Sequence, residues 1–227
     1  MLENIIISHN REALVNALGS EKTYKMIYGS ISTAAIGSII YGFARYGRGQ
    51  GPQVAWKIGG HSRFKMLALP LQAFGLMLAS QAVPELTLSR YINEGGCPFE
   101  FKKKGDEEIK GVERITRHPS LWALGLFGLG YASSATYVTQ FAFGALPVLF
   151  TIIGGAHQDH RHRESGQLSG DHDTLTSHVP FGALIGGRQS WEELSKEIKM
   201  ENIAIALSFA SLLALRRVHL AKKLISK

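Results

Sequence analysis

The chain of 227 residues is poor in cysteine, which limits its covalent and metal chemistry. A single cysteine, Cys97, excludes an internal disulfide. The sequence has neither a His-Glu-x-x-His segment nor a pair of cysteines, so it lacks the common signatures of zinc proteins. Glu3, rather than a basic segment, precedes the short apolar stretch Ile5–Ile7, which is not typical of a signal peptide.

Charge is also missing, but only from particular runs of the chain. Tyr24–Ala44 holds Lys25 as its one charged residue, and Met66–Val83 and Leu121–Ala156 hold none. A membrane-spanning helix needs roughly 20 apolar residues, so the last of these runs is long enough for two helices. We place the turn between them near residues 137–140. The predicted spans are residues 24–44, 66–83, 120–137, 140–156 and 203–216.

These runs predict an all-α fold, a polytopic transmembrane helix bundle of about five spans that forms one domain over residues 1–227. A soluble helical protein with buried core helices is the alternative, although charge-free runs this long are uncommon in soluble cores. Ser190-Trp191-Glu192-Glu193 is a capping-box sequence, with Ser190 as the cap and Glu193 returning to its backbone N–H. It predicts a short interfacial helix. We expect residues 84–117 and 164–189 to be polar loops.

The net charge of +7 raises nucleic acid as a partner. The basic residues, however, lie between or beside the apolar runs, and no nucleic-acid-binding module is recognisable. Lysine and arginine next to membrane spans are explained by anionic lipid headgroups. We therefore expect a lipid bilayer as partner and no nucleic acid.

A polar cluster follows directly on the fourth apolar run. It contains His157, Asp159, His160, Arg161 and His162, a set that could bind a metal, hold a haem, grip lipid phosphates or mark the edge of a bilayer. On a helix His157 and His160 share one face, and Asp159 and His162 share another. Further metal ligands could come from Asp171, His172, Asp173 and His178, which lie close in sequence. We predict instead an interfacial polar cap in which Asp159 pairs with nearby arginines or orients a histidine, with no metal site. His160 and His162 are expected at the surface.

Two further segments combine histidine with other reactive groups. In Arg117-His118-Pro119, the proline suits the first turn of a helix, Arg117 could hold an anion, and His118 could be a haem ligand or an acid–base group. Residues 176–181 place two hydroxyls next to His178. Adjacent residues rarely reach the geometry of a nucleophile and its base, so we expect an ordered loop there.

Taken together in order, these segments resemble the NnrU-like membrane proteins, a family that includes the 15-cis-zeta-carotene isomerases. The resemblance extends from His9 to about Trp191. Arg-His-Pro alone is a weak signal, because integral-membrane methyltransferases carry a similar tripeptide. The segments that resemble the family are His9-Asn10-Arg11 with Leu18-Gly19 and Tyr24 to Tyr28, Arg117-His118-Pro119, Gly154-Gly155-Ala156-His157-Gln158-Asp159 with Arg161, and Thr176-Ser177-His178-Val179-Pro180-Phe181 with Arg188.

The resemblance implies a helical bundle of five or six spans. For the isomerase branch it also implies a b-type haem that is held by histidine and drives cis–trans isomerisation of a carotenoid or other polyene. His9 would match the first haem ligand. The second ligand lies about two helical turns before the aspartate, where this chain has Leu149–Ile152 and no histidine. The nearest histidine is His157, which together with His118 completes the candidate haem ligands. The residues that match the family's structural motif are Arg117, Pro119, Asp159, Arg161, Ser177, Pro180, Phe181 and Arg188.

The missing histidine favours the first of three hypotheses over the second. The first is an NnrU-like integral membrane protein that is not an enzyme and serves as an accessory or assembly subunit beside other membrane-protein subunits of a bioenergetic complex. The second is a haem-dependent isomerase or haem redox protein. The third, a membrane methyltransferase, rests on Arg117-His118-Pro119 alone. Each predicts a multi-pass protein of a plastid, mitochondrial or bacterial inner membrane.

Overall fold

The computed structural model describes residues 7, 10–55, 63–82 and 109–225. These residues are predominantly helical and form no strand, apart from an isolated antiparallel bridge between Gln53 and Tyr137. The predicted all-α class is therefore confirmed. The helices are α1 (Arg11–Leu18), α2 (Glu21–Gly42), α3 (Arg63–Met66), α4 (Ala68–Ala82), α5 (Pro119–Ser133), α6 (Val138–Leu149), α7 (Gly155–Glu164), α8 (Gly170–Leu175), α9 (Gly182–Ile185), α10 (Trp191–Glu197) and α11 (Met200–Ile225).

Close contact between apolar helices builds the body of the molecule. Helix α5 packs against α4 and α6, and α11 packs against α4. Glycines allow this approach: a Cβ on Gly75 would lie 2.7 Å from the carbonyl oxygen of Ala123, and one on Gly144 would lie 2.7 Å from the backbone nitrogen of Ala132. Small residues at such crossings let helix backbones approach within lipid as well as within a soluble core.

Helices α6 and α7 form one continuous rod. A π-turn, Phe150–Gly154, joins them, so that the helical path runs from Val138 to Glu164. Pro147 lies one turn before it, and proline lacks the N–H that the helix ladder needs. The polar cluster of residues 157–163 therefore lies at the carboxyl-terminal end of the rod, and the apolar residues of α6 form its amino-terminal part.

Within the part of the chain that the structure describes, two helical segments are long and apolar enough to cross a membrane. They are Glu21–Gly47, which joins α2 to a second π-turn at Phe43–Gly47, and Val138–Glu164. Met200–Leu213 is apolar but shorter. The structure thus places a helix in each of the five predicted spans, while length and composition identify two of them as candidate spans.

Several sequence predictions need correction. The turn before α6 falls at residues 134–137, slightly earlier than expected, because Gln140 accepts hydrogen bonds from Thr136 and Tyr137 and so starts the helix at Val138. Residues 164–189 are not irregular, since they contain α8 and α9. Most of the predicted polar loop 84–117 lies outside the described residues, but its end, from Val112 to Arg117, is buried rather than solvated.

One of the two predicted hydrogen bonds of the capping box at Ser190 is present. The Ser190 side chain accepts a hydrogen bond from the backbone N–H of Glu193 and caps α10. The Glu193 carboxylate pairs instead with the buried Arg114, at 2.7 Å. Arg114 also forms a two-pronged contact with Glu197, at 2.8 and 2.9 Å. Tertiary contact with this arginine therefore draws the glutamate away from its local role.

Candidate functional site

Arg117 is the centre of a buried polar cluster. It directly precedes the cap of α5, and its side chain is only 5% exposed. Its guanidinium donates to the Asp173 carboxylate at 2.6 Å, to Thr176 Oγ1 at 3.0 Å and to the backbone oxygen of Asp173 at 3.0 Å. It also lies 3.1 Å from Asp159 Oδ2. A buried guanidinium needs such partners, because an unpaired buried charge is very costly.

His118 and Asp159 meet beside Arg117. The His118 ring nitrogen Nε2 lies 2.8 Å from Asp159 Oδ1, and both residues are almost fully buried. Helix α7 supplies Asp159 from the face that it shares with the buried His162. The sequence prediction that Asp159 pairs with an arginine or orients a histidine describes this geometry, since it does both. The prediction that His162 lies at the surface is wrong, because that face of α7 packs inward.

His178 approaches the same carboxylate from the loop between α8 and α9. Its Nδ1 atom lies 4.0 Å from Asp159 Oδ2, and its ring lies 5.1 Å from that of His118. Its backbone oxygen is fixed by two donors, Thr116 Oγ1 and the Trp122 indole N–H, each at 2.7 Å. Burial lowers the pKa of His178 below its ordinary value of 6.5, so the imidazole is neutral near pH 7.

Helix α7 makes room for the His178 ring at a glycine. A Cβ on Gly155 would lie 2.3 Å from a carbon atom of that ring and 2.9 Å from its Nδ1 atom. No other residue type could stand at this position without displacing the imidazole. Both ring nitrogens of His178 are buried and have no hydrogen-bond partner within the described part of the chain.

Asp173 forms the outer layer of the cluster. It lies between Arg117 and Arg163, which contacts it at 2.6 and 2.8 Å. The hydrogen bonds from Arg163, followed by the charge of Arg117, lower the pKa of Asp173 from 3.8 to about 2. The carboxylate is therefore ionised at any physiological pH and holds α8 onto α7.

A second, more open site lies between α1 and α7. This cleft has a volume of about 830 Å³, and His157 and Arg161 line it together with Arg11, Glu12 and Glu164. The predicted haem ligand His157 thus lines this cleft, whereas His118 contacts Asp159 in the buried cluster. The other predicted ligand, His9, lies outside the described residues.

Among the described residues, the position that the resemblance gives to the second haem ligand holds no histidine. At the position where the resemblance places the second haem ligand, the buried Thr151 donates to the backbone oxygen of Leu121 at 2.6 Å. A Cβ on Gly125 would lie 2.7 Å from Thr151 Oγ1, so α5 and the rod are in direct contact here. The cleft beside His157 is open and lined by charges, whereas small-molecule and cofactor pockets are mostly apolar.

The remaining motif residues shape the loop that carries His178. The backbone oxygen of Ser177 accepts a hydrogen bond from the Arg117 N–H at 2.8 Å. Phe181 has a left-handed backbone, with φ of 62°, and stacks between the rings of Phe74 and Trp191. Pro180 precedes it in the turn, Pro119 is the first residue of α5, and Arg188 donates to the backbone oxygens of Thr174 and Thr176.

Sequence reasoning selected Arg117, His118 and Asp159 but not His178, Asp173 or Thr176 as site residues. The signal was present, because Thr176 and His178 belong to a segment already noted, and Asp173 is an acid just before it. Nothing in the sequence states that this loop folds back onto the start of α5. That contact combines backbone hydrogen bonds with side-chain bonds from Thr116, Arg117 and Trp122. It joins residues far apart in the chain, so no pattern of adjacent residues indicates it.

The fold and the site define an all-helical protein with helices suited to a membrane and a buried arginine–histidine–aspartate cluster at the end of one of them. Residues 4–221 match the family described as NnrU protein. The chain therefore belongs to the NnrU family, as its sequence segments predicted. No curated protein and no solved structure matches it.

Proposed function

We propose that this NnrU-family chain is a five-span membrane protein that acts without catalysis, as an accessory or assembly subunit of a larger membrane complex. The observation that carries the proposal is that the hydrogen-bond donors of the buried Arg117 are satisfied from within the fold. Arg117 is the side chain best suited to bind an anionic substrate, but its guanidinium already contacts Asp159, Asp173 and Thr176. A group engaged in this way holds segments together and leaves little for a reaction.

The exposed apolar surface supports a membrane and a partner. Large side chains of α2 lie open on several sides of the helix, and the apolar stretch of this segment contains no residue buried within the molecule. Such a helix must be covered by lipid or by another protein. The most exposed apolar side chains of α2 are Met26, Ile36, Ile39, Ile40 and Tyr41.

Purification from native membranes in a mild detergent tests the accessory role. We expect the chain to migrate in a complex larger than its own 24.9 kDa, with a partner in fixed stoichiometry and without a Soret band. The membrane fraction that yields the complex shows whether the membrane is a plastid, mitochondrial or bacterial inner membrane.

The opposite result would identify the haem-dependent alternative. A chain that runs alone with stoichiometric haem, and loses its Soret band in His9→Ala but not in His160→Ala, would overturn the accessory role. His160 is the matched control, because it lines the same cleft as His157. Turnover of a polyene by that preparation would then point to an isomerase.

A further inference from the structure

The three groups that converge beside Arg117 form a set of metal-ligand types. A ring nitrogen of His118, a carboxylate oxygen of Asp159 and a ring nitrogen of His178 all lie within 4.8 Å of one another. They come from three separate parts of the chain, namely the cap of α5, helix α7 and the loop after α8. We propose that these three side chains bind one divalent first-row transition metal ion, such as zinc.

The donor set determines the class of metal. Two imidazoles and one carboxylate suit zinc, iron or copper, whereas magnesium and calcium prefer oxygen ligands throughout. Bonds of about 2.0–2.2 Å in a tetrahedral zinc site bring ligand atoms to within about 3.4 Å of each other. The His118–Asp159 contact is shorter than this, at 2.8 Å, and the His178–Asp159 contact is longer, at 4.0 Å. Small movements of the two histidines would bring both contacts to this separation, and a water molecule would be the fourth ligand.

His178 is the ligand that distinguishes a metal site from a structural ion pair. A histidine kept only for packing satisfies its ring nitrogens, since buried polar groups are nearly always hydrogen-bonded. Both ring nitrogens of His178 are buried and have no hydrogen-bond partner among the described residues, although its backbone is held by two bonds. Gly155 leaves the space that brings the ring against α7. A metal would satisfy Nδ1 where no protein group does.

Arg117 fits this arrangement as a neighbour that orients the carboxylate. It contacts Asp159 through Oδ2, whereas His118 contacts Oδ1. Groups that hold a metal-binding carboxylate in this manner fix its position and tune its affinity. The metal would join the start of α5, α7 and the loop at His178, which the rest of the cluster already brings together. This inference is independent of whether the protein has a partner.

Metal binding by the full-length chain in detergent, free of any affinity tag, tests the proposal. After treatment with a chelator, the wild type should bind about one Zn²⁺ per chain, and its thermal unfolding temperature should rise. His178→Gln should weaken binding at least about tenfold and abolish the thermal shift. This substitution breaks no hydrogen bond of the side chain, so the fold should survive.

His160→Gln is the matched control. His160 lies on the same helix as Asp159, and its side chain is 63% exposed, so it reports binding to surface histidines. It should bind Zn²⁺ as the wild type does. A wild type that binds no Zn²⁺ at micromolar concentration, or a His178→Gln variant that binds equally well, overturns the proposal.

If His178→Gln fails to fold, Co²⁺ bound to the wild type decides the question. X-ray absorption should then show two imidazole nitrogens and a carboxylate oxygen in a four-coordinate site. Fewer than two imidazoles, or six-coordinate cobalt, would overturn the assignment.

Discussion

Arg117 shows how one buried charge organises its neighbours. Its guanidinium contacts two carboxylates from different helices, and each carboxylate is held in turn by another basic or imidazole group. Burying a guanidinium costs free energy, which good geometry and several hydrogen bonds can offset. Removing one partner therefore costs more than the pair contributes by itself.

Asp173 gives a pH-dependent prediction. Its pKa is lowered from 3.8 to about 2, so its contribution to stability is fully present above about pH 4 and is lost as the pH falls towards 2. Discounted for partial exposure, that contribution is at most about 2 kcal/mol. We expect Asp173→Asn to lower the free energy of unfolding by about this amount at pH 7 and by progressively less below pH 4.

Unfolding measured in detergent across this pH range checks the prediction. Asp171→Asn is the matched control, since Asp171 lies on the same helix and is exposed. It should change stability by less than about 0.5 kcal/mol. An Asp173→Asn effect that persists unchanged at pH 2 would contradict the assignment, because at that pH the carboxyl is protonated in the unfolded state and about half protonated in the folded one, so most of its contribution is lost.

At the scale of elements, the sequence predicted where helices form more reliably than how they meet. Pro119 and Ser190 mark the beginnings of α5 and α10, because a missing N–H and a capping hydroxyl act within one turn of the chain. The apolar runs predicted α2, α5 and α6 for the same local reason. Residues 164–189 were misassigned as loop because α8 and α9 are too short to show a helical period.

The helix contacts predict a cost for filling a glycine. A Cβ on Gly144 would meet backbone atoms of α5 at 2.7–3.0 Å, and backbone cannot move aside as a flexible side chain can. We expect Gly144→Ala to destabilise the protein by about 1–3 kcal/mol, as over-packing usually does. Thermal unfolding in detergent measures the loss.

Gly37→Ala on α2 is the control for this substitution. A Cβ there meets nothing within 4 Å, so only the change in helix propensity remains. The variant should be as stable as the wild type or more stable by up to about 1 kcal/mol. Equal destabilisation of both variants would show that α5 and α6 do not approach as closely as the structure has them.

For the whole molecule, the number of spans determines on which side of the membrane each end lies. Five spans place the two termini on opposite sides, whereas α2 and the rod Val138–Glu164 alone would place them on the same side. We expect reporters fused to the amino and carboxyl termini to respond from opposite sides. Helix α11 decides between the two arrangements, because α4 and α5 together add two crossings and leave the side of the carboxyl terminus unchanged.

A reporter inserted at Gly166, in the turn after α7, serves as the internal control. Both arrangements place Gly166 on the side of the amino terminus, so its signal calibrates the assay. A carboxyl-terminal reporter on that same side would contradict five spans.

The sequence by itself determined the all-α class, the positions of the apolar helices and membership of the NnrU family. These depend on local composition and on short motifs in a fixed order, both of which can be recognised from neighbouring residues in the sequence. Only the tertiary structure decided that His178 joins His118 and Asp159, that His162 is buried and that His157 faces a separate cleft. The reason is physical: a loop returns to a helix end through backbone and side-chain hydrogen bonds between residues far apart in the chain and through one glycine-sized space, and neither depends on a pattern of adjacent residues.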